Sequence, residues 1–253
     1  MKVSLITVAY NSAATIADTI QSIAAQDHPD IEYIIIDGGS TDGTMDLVKN
    51  AKSVTKYLSE PDRGLYDAMN KGVALCTGDI IGILNSDDVY QDGQVISDVV
   101  RMFDEQPIDC VYGDLVYVDP EDLSKVSRYW KSGEYHRKAF LNGWMPPHPT
   151  FFTRRECYKT FGAYDLQFKT SADYELMLRF MFKNHCSTAY LPRILVRMRE
   201  GGQSNENLIN RIRGNKEDRQ AWVKNGLNPR FYTLTMKPLR KISQFWSRPG
   251  QEG

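Results

Sequence analysis

Acidic side chains follow three of the predicted strands in the first part of the chain, where they could bind a cation or a polar ligand. The three clusters are Asp37, Glu60 with Asp62, and Asp87 with Asp88. Adjacent carboxylates repel each other, so a pair is tolerated most easily when a divalent cation or several hydrogen-bond donors neutralise it. Asp87 and Asp88 are therefore the best candidates for a metal site.

The elements that must position these clusters alternate between strands and helices. Apolar, β-branched runs predict strands at residues 3–9, 31–36, 54–59 and 80–84, and periodic apolar residues predict helices that begin near residues 12, 44 and 65. This alternation predicts a parallel sheet with right-handed crossovers. Ligands bind beyond the carboxyl ends of such strands, so we expect the three clusters to meet in one crevice. Any single cluster is more often a turn former or a helix cap.

The pattern changes after residue 100. Helices are predicted at residues 94–103, 154–160, 172–183, 206–224 and 236–246, and extended segments at 110–118, 126–130, around 190 and at 195–198, with loop-like sequence at 133–149. We therefore divide the chain into a first domain of residues 1–200, itself made of halves 1–100 and 101–200, and a basic helical extension of residues 201–253.

Charge is distributed unevenly although the net charge is only −1. Residues 193–248 contain 13 Lys and Arg and 4 Asp and Glu, whereas residues 1–192 contain 18 and 27. The basic segment 236–246 places Leu239, Ile242 and Trp246 on one helical face, which suits an anionic membrane surface; packing of that face on the body is the alternative. No apolar run approaches the ~20 residues of a spanning helix, and the N-terminus does not resemble a signal peptide. We expect a cytoplasmic protein, peripheral at the inner face of the membrane.

Several function classes lack their sequence signatures. The chain contains neither the G-x-G-x-x-G of dehydrogenases nor the G-x-x-x-x-G-K-[ST] of P-loop enzymes. A nucleotidyltransferase would need a glycine-rich loop after the first strand, where Tyr10, Asn11 and Ser12 stand. The four cysteines are far apart and form no C-x-x-C, so neither a zinc knuckle nor a disulfide framework is predicted. We expect no nucleic-acid partner.

Four motifs, in this order, resemble the family 2 glycosyltransferases of the GT-A fold. They are Thr7–Asn11, Asp37–Thr44, Glu60–Gly72 and Asn85–Asp88. A later segment, Thr170–Arg179, resembles the acidic acceptor-side motif of the family, with Ala172 where a second acid often stands. The resemblance implies an α/β fold: a GT-A type nucleotide-binding domain with a mixed, mainly parallel sheet, followed by the helical C-terminal extension. Residues 1–100 would form its nucleotide-sugar half and residues 101–200 its acceptor half.

The resemblance also implies a role for individual residues on the donor side. Asp37 would accept a hydrogen bond from a uracil-like ring N–H, and Asp62 would belong to the same nucleotide site. Asp87 would lie near the ribose, and Asp88 would hold Mn²⁺ or Mg²⁺ on the diphosphate. The pocket walls and the added positive charge would come from a further set: Thr7, Ala9, Tyr10, Lys71 and Arg63.

Asp173 is the candidate general base on the acceptor side. A carboxylate suits this role because the acceptor hydroxyl loses its proton as the new C1–O bond forms. Asp173 would equally suit a helix N-terminus as a capping carboxylate, and Glu175 is the alternative base. His148 lies between two prolines, where it either lines the acceptor cleft or packs as a structural histidine.

The expected function is metal-dependent, inverting transfer of a sugar from a nucleotide-sugar donor, a UDP-sugar, to a hydroxyl group. The resemblance implies one displacement without a covalent intermediate. The acceptor would be a glycan or a lipid-linked molecule in bacterial-type polysaccharide or glycolipid synthesis. The alternative is a non-catalytic sugar-nucleotide-binding protein of the same fold, which the presence of Asp88 and Asp173 argues against.

Overall fold

The computed structural model describes residues 1–201 and 208–243, and within them nine strands and nine α-helices. The strands are β1 Val3–Ala9, β2 Ile31–Asp37, β3 Lys56–Ser59, β4 Ile80–Ile83, β5 Val89–Tyr90, β6 Cys110–Val118, β7 Val126–Trp130, β8 Phe152–Arg154 and β9 Thr188–Arg199. The helices are α1 Ile16–Ala24, α2 Thr44–Asn50, α3 Leu65–Leu75, α4 Val95–Glu105, α5 Lys138–Leu141, α6 Arg155–Phe161, α7 Ala172–Met177, α8 Leu208–Lys224 and α9 Thr233–Ser243. A 3₁₀ turn spans His148–Thr150, and a π-helical turn, Leu178–Lys183, continues α7.

The strands form one mixed sheet in the order β3-β2-β1-β4-β8-β6-β9-β5, with β7 paired to β6. The first four strands of the chain pair in parallel, as the alternating pattern predicts. Both faces of this half are covered: Val3, Leu5 and Ala9 of β1 belong to one apolar core, and Ile6 and Val8 belong to the other. Burial on both faces explains why β1 and β2 read as nearly continuous apolar runs.

The second half adds antiparallel pairing. The short strand β8 lies between β4 and β6 and is antiparallel to both, while β6 and β9 are parallel. The two extended segments predicted around Tyr190 and at 195–198 are one strand, β9. Pro192 interrupted the pattern because it cannot donate to a ladder, and the structure accommodates it where the β6–β9 register shifts.

The described part of the C-terminal extension packs on the body. On α8, Ala221 and Trp222 are fully buried, and the Trp222 indole N–H donates to the Tyr174 hydroxyl at 2.8 Å. On α9, Thr233 is fully buried and its hydroxyl donates to the Leu141 carbonyl at 2.6 Å. The predicted segment 236–246 runs past residue 243, so Trp246 lies outside the described residues. None of the described helices is both long and apolar enough to cross a membrane.

Candidate active site

The loops that follow β1, β2 and β4 are joined to one another by side chains. Asn11, at φ 49°, donates its N–H to Ser40 Oγ at 2.8 Å and accepts from the Thr41 N–H at 2.9 Å. The hydroxyls of Ser12 and Ser86 lie 2.8 Å apart. Asparagine tolerates the left-handed conformation better than most residues, which fits this turn. The loops at the carboxyl ends of these three strands therefore form one connected rim.

Asp37 organises this rim from inside. Its Oδ2 accepts from the Gly39 N–H at 3.1 Å, the Ser40 N–H at 3.0 Å and the Ser59 hydroxyl at 2.6 Å, and its Oδ1 accepts from the Ser40 hydroxyl. The residue has no exposed surface. In this structure the Asp37 carboxylate is bound by residues of its own loop and of β3, and the direct contact to a base stays a prediction. A buried carboxylate needs such donors wherever it stands.

The three predicted wall residues on β1 and its loop differ in exposure. Thr7 is fully buried, and its hydroxyl oxygen accepts from the Tyr33 hydroxyl at 3.1 Å. Its predicted place in a pocket wall is corrected: the side chain belongs to the core beneath the sheet. Ala9 is also buried, at the end of β1, whereas the Tyr10 side chain beyond it is 60% exposed. Of the three, Tyr10 offers a face to a ligand.

Asp62 lies against Gly38 on the same rim. Its Oδ1 accepts from the Gly64 N–H at 2.7 Å. A Cβ placed on Gly38 would lie 2.5 Å from Asp62 Oδ2 and 3.3 Å from the Tyr10 ring, so a larger residue here would displace the Asp62 carboxylate. The partly exposed Asp62 carboxylate and the Tyr10 ring thus border the same position, directly after the buried Asp37.

Lys71 braces the segment that carries Asp62. Its ammonium lies 2.8 Å from Glu60 Oε1 and donates to the Pro61 carbonyl at 3.1 Å. Arg63, the other cation of this motif, donates to Asp67 Oδ1 at 2.8 Å. Lys71 and Arg63 thus form ion pairs with acids of their own motif. These ion pairs hold the loop and partly neutralise the positive charge of both residues.

Asp88 presents a buried oxygen that lacks a donor. Its Oδ2 accepts from the Asn85 amide at 3.1 Å, but within the described residues Asp88 Oδ1 and Asn85 Oδ1 are buried without a hydrogen-bond partner. Burial raises the pKa of the Asp88 carboxyl well above its usual range, and the charge of Asp87 adds to the rise. Hard oxygen atoms of this kind are the ligands that Mg²⁺ and Mn²⁺ prefer.

The oxygen atoms at Asp88 fit a cation whose remaining ligands come from a second molecule. Among residues 1–201 and 208–243, no three His, Cys, Asp or Glu side chains are arranged to hold a metal ion by themselves. A cation at Asp88 would therefore take its remaining ligands from a bound diphosphate or from water, which is usual for Mg²⁺.

Arg199, which the sequence did not single out, supports this loop from the last residue of β9. The buried guanidinium donates to the Asp87 carbonyl at 2.7 Å and to the Pro120 carbonyl at 3.1 Å, and it is paired with Asp18. Burial raises the pKa of the Asp87 carboxyl, and the charge of Arg199 opposes that rise. Its position at the carboxyl end of a strand was the one feature of the sequence that could have indicated a role for Arg199 near the site.

Asp173 lies in the first turn of α7 and meets the N-terminal turn of α3. Its Oδ1 accepts from the Tyr66 hydroxyl at 3.1 Å. Burial, and then the negative charge of Asp173, raise the pKa of Tyr66 well above its usual range, so the phenol stays a hydrogen-bond donor. The carboxylate is thus oriented by a residue of the Glu60–Gly72 motif.

Glu175, the alternative base, is a structural residue. Its oxygens accept from the Arg179 guanidinium at 2.9 and 2.8 Å, and Oε1 also accepts from the Asn225 amide at 2.9 Å. Glu175 is buried, and this bidentate ion pair leaves it no open face.

His148 belongs to an aromatic cluster beside Asp173. Its Nε2 lies 3.1 Å from the Tyr164 hydroxyl, and the Tyr164 ring stacks on Tyr66 at 5.6 Å between centroids. Burial lowers the pKa of His148, opposed by the Asp173 charge, so the imidazole is neutral near pH 7. The antiparallel pairing of β4 with β8 carries the 3₁₀ turn to the end of β4, which leads into Asp88. The candidate metal ligand Asp88 and the candidate base Asp173 therefore both lie toward the edge of the sheet where the parallel strands end.

Comparison with known proteins agrees with this geometry. Glycosyl transferase family 2 matches residues 4–162. A PGL/p-HBAD biosynthesis glycosyltransferase of Mycobacterium bovis is 31% identical over 208 residues, which are 80% of this chain and 78% of the relative. An uncharacterized glycosyltransferase of Mycobacterium tuberculosis is 32% identical over 181 residues, or 70% and 68% of the two chains.

Solved structures share the fold. S. aureus TarS 1-349 in complex with UDP-GlcNAc has a TM-score of 0.72 at 20% identity, covering 96% of this chain and 73% of that one. The mannosyltransferase PcManGT from Pyrobaculum calidifontis, in complex with GDP-Man and Mn²⁺, has a TM-score of 0.66 at 19% identity, covering 96% and 69%. The sheet, its ordered rim of motifs and these likenesses lead to one conclusion: the chain belongs to glycosyl transferase family 2 and is a glycosyltransferase of the GT-A fold.

Proposed function

We propose that this glycosyltransferase is metal-dependent and inverting, and that it moves a sugar from a UDP-sugar to a hydroxyl of a glycan or lipid-linked acceptor. The proposal depends on two separate carboxylates. Asp88 Oδ1 is buried without a hydrogen-bond partner among the described residues, and the Asp173 carboxylate is oriented by Tyr66. One carboxylate suits a cation and the other suits a proton, which is the division of labour that such a transfer needs.

On the donor side, Asp62 takes the base-reading role in place of Asp37. Its Oδ2 borders the space over Gly38, and Tyr10 provides an exposed ring beside it for stacking on a base. Asp37 acts indirectly by holding Gly39 and Ser40 in place. Ala9 is the last residue of β1 and lies beneath the nucleotide site. Lys71 holds the segment that carries Asp62 in place through Glu60 and Pro61, and Asp87 faces the ribose.

Asp88, with Asn85 beside it, would hold Mn²⁺ or Mg²⁺. The cation would supply positive charge to the departing diphosphate. This chain's own contribution is the rigid loop: Arg199 holds the Asp87 carbonyl, and Asn85 fixes one oxygen of Asp88. The other oxygen of Asp88 has no hydrogen-bond partner among the described residues and would be the one that binds the cation.

On the acceptor side, Asp173 accepts the proton of the attacking hydroxyl. The acceptor oxygen forms a bond to C1 as the bond from C1 to the diphosphate oxygen breaks, so UDP leaves with the electron pair. One displacement inverts the anomeric carbon. Tyr66 occupies Oδ1 of Asp173, which leaves Oδ2 for the proton. The neutral His148 and Tyr164 border the same cleft.

A lipid-linked acceptor is supported by one relative and one surface. The Mycobacterium bovis relative is named for PGL/p-HBAD biosynthesis. In this chain Phe231, just before α9, is 97% exposed, and Leu239, on α9, is 53% exposed. Both lie in the most basic part of the sequence. An anionic membrane would attract such a surface, at about 1 kcal/mol per basic residue near the interface. Binding there would leave the enzyme cytoplasmic and peripheral.

A panel of UDP- and dTDP-sugars, incubated with Mn²⁺ and bacterial lipid extract, tests the proposal. We expect release of UDP together with a product whose mass exceeds that of a lipid by one sugar residue. NMR of the product anomer checks inversion. Tight UDP binding with no transfer to any acceptor would favour the alternative, a non-catalytic sugar-nucleotide-binding protein.

A further inference from the structure

The segment that leads into α7, the helix that carries Asp173, is held by a side chain from another helix. Oε2 of Glu217 on α8 accepts from the backbone N–H groups of Lys169 at 3.0 Å, Thr170 at 2.8 Å and Ser171 at 3.1 Å. The Thr170 hydroxyl donates to the same oxygen at 3.0 Å. Glu217 is buried, so these four donors replace the water that its carboxylate loses on folding.

The residue that should cap α7 locally is used elsewhere. Ser171 precedes the helix, but its hydroxyl donates to the Gly214 carbonyl at 3.3 Å. Gly214 and Glu217 lie about one turn apart on α8, so one face of α8 meets the segment 169–171. Glu217 thus holds the three residues that precede α7, and the Asp173 carboxylate, which caps no helix among the described residues, accepts from Tyr66.

Two further contacts join α7 to α8 and to Asn225, the residue that follows α8. The Trp222 indole donates to the Tyr174 hydroxyl at 2.8 Å, and the Asn225 amide donates to Glu175 Oε1 at 2.9 Å. Tyr174 and Glu175 follow Asp173 directly in the chain. Contacts from α8 and from Asn225 thus lie on both sides of the base in sequence, and Glu217 makes the contact on the N-terminal side.

We propose that Glu217 is a positioning residue for the acceptor base: it fixes residues 169–171, from which α7 starts, and through them the direction of the Asp173 carboxylate. The inference rests on the proposed role of Asp173. A general base must stand within hydrogen-bond reach of the proton it takes, and a misplacement of ~1 Å can cost ~10²-fold in rate. Without the Glu217 oxygen, three amides beside Asp173 lose their acceptor and the turn shifts.

Three variants and one matched control test this role. Glu217→Ala removes the acceptor, whereas Glu217→Gln keeps an oxygen in its place and should rescue most of the loss. Glu217→Asp shortens the side chain and serves if the alanine variant does not fold. The control is Asp218→Asn: Asp218 is the next residue on α8, is also buried, and binds Lys237 at 2.7 Å rather than residues 169–171.

The readouts are kcat for UDP release in the presence of lipid extract, the KM for the donor, the Kd of UDP and Tm. We expect Glu217→Ala to lower kcat at least 10-fold while KM and Kd change less than twofold, and Asp218→Asn to lower Tm similarly but keep kcat. A Glu217→Ala enzyme with unchanged kcat, or equal losses of kcat in both variants, would overturn the inference. Asp173→Asn is measured alongside. An active Asp173→Asn would refute both the proposed base and the inference that rests on it. An inactive Asp173→Asn together with a fully active Glu217→Ala would overturn the positioning role alone.

Discussion

The hydroxyl of Tyr66 donates a hydrogen bond to Oδ1 of Asp173 at 3.1 Å, although the two residues are 107 positions apart. Tyr66 stands in the first turn of α3, in the half that carries the nucleotide motifs, and Asp173 stands in the first turn of α7, in the other half. This contact links the two halves at the point where a donor and an acceptor would meet.

Replacing Tyr66 by Phe should lower kcat about 10-fold, because a hydrogen bond to a charged group is worth ~1.5–3 kcal/mol and orients the base. The affinity for UDP should not change. Steady-state kinetics and calorimetry measure both quantities. Tyr33→Phe is the matched control, since Tyr33 is buried and donates to Thr7 at 3.1 Å away from the cleft. Equal kcat values for Tyr66→Phe and the wild type would remove the orienting role.

Asp62→Asn and Asp37→Ala should separate base recognition from loop structure. Asp62→Asn should raise the Kd of UDP about 10-fold with little change in Tm, because a charged acceptor near the base is lost. Asp37→Ala should lower the unfolding free energy by about 2–4 kcal/mol, because four donors lose a buried acceptor. Calorimetry and thermal melts give both values. Unchanged UDP affinity in Asp62→Asn would refute its proposed contact with the base.

Asp88→Asn should abolish transfer and remove the effect of Mn²⁺ on UDP binding, because one hard anionic ligand is lost. In the absence of metal the variant should be at least as stable as the wild type, since the amide relieves the cost of burying a charge beside Asp87. Titration of UDP with and without Mn²⁺, together with thermal melts, checks both parts. Full wild-type activity in excess EDTA would contradict metal dependence.

Glu32 should make stability fall at acidic pH. Burial alone would raise the pKa of Glu32, but hydrogen bonds from Lys56, Ser4 and Thr77 together hold it well below its usual range. A group whose pKa is lowered on folding contributes stability above its unfolded pKa of about 4.3, and the contribution is lost as the pH falls toward the folded value. Tm should therefore drop more steeply below about pH 4.3 in the wild type than in Glu32→Gln. Parallel curves would show that Glu32 is not responsible.

The C-terminal segment should contribute to both stability and membrane binding. A chain ending at Asn228 should melt at lower temperature, because Thr233 is buried and a Cβ on Gly143 would collide with the Lys237 backbone, so α9 seats closely on the body. Phe231→Ser with Leu239→Ser should leave Tm unchanged and reduce flotation with phosphatidylglycerol vesicles. Wild-type protein that does not bind such vesicles at low salt would rule out the membrane proposal.

The parallel half of the fold was predictable because β1, β2 and β4 are short apolar runs followed by polar residues, with helical patterns between them. β9 was not, because Pro192 divides its pattern while long-range pairing with β6 keeps it extended. The site motifs could be found from the sequence, but the use of each carboxylate could not. Asp37 and Asp62 both follow strands, and only their burial and partners separate a loop organiser from an open ligand. Arg199 and Glu217 bind residues more than forty positions away in the chain, and sequence spacing does not reveal contacts of that kind.

The kinetics of Asp173→Asn test the central claim most directly, with Glu175→Gln as the comparison. We expect Asp173→Asn to lose about 10²- to 10⁴-fold in kcat while it keeps its Tm and its affinity for UDP, because only the proton acceptor is removed. Glu175→Gln should lose stability, by up to ~3–5 kcal/mol, because Arg179 loses its buried partner, yet the folded enzyme should keep its kcat. A fully active Asp173→Asn would contradict the account.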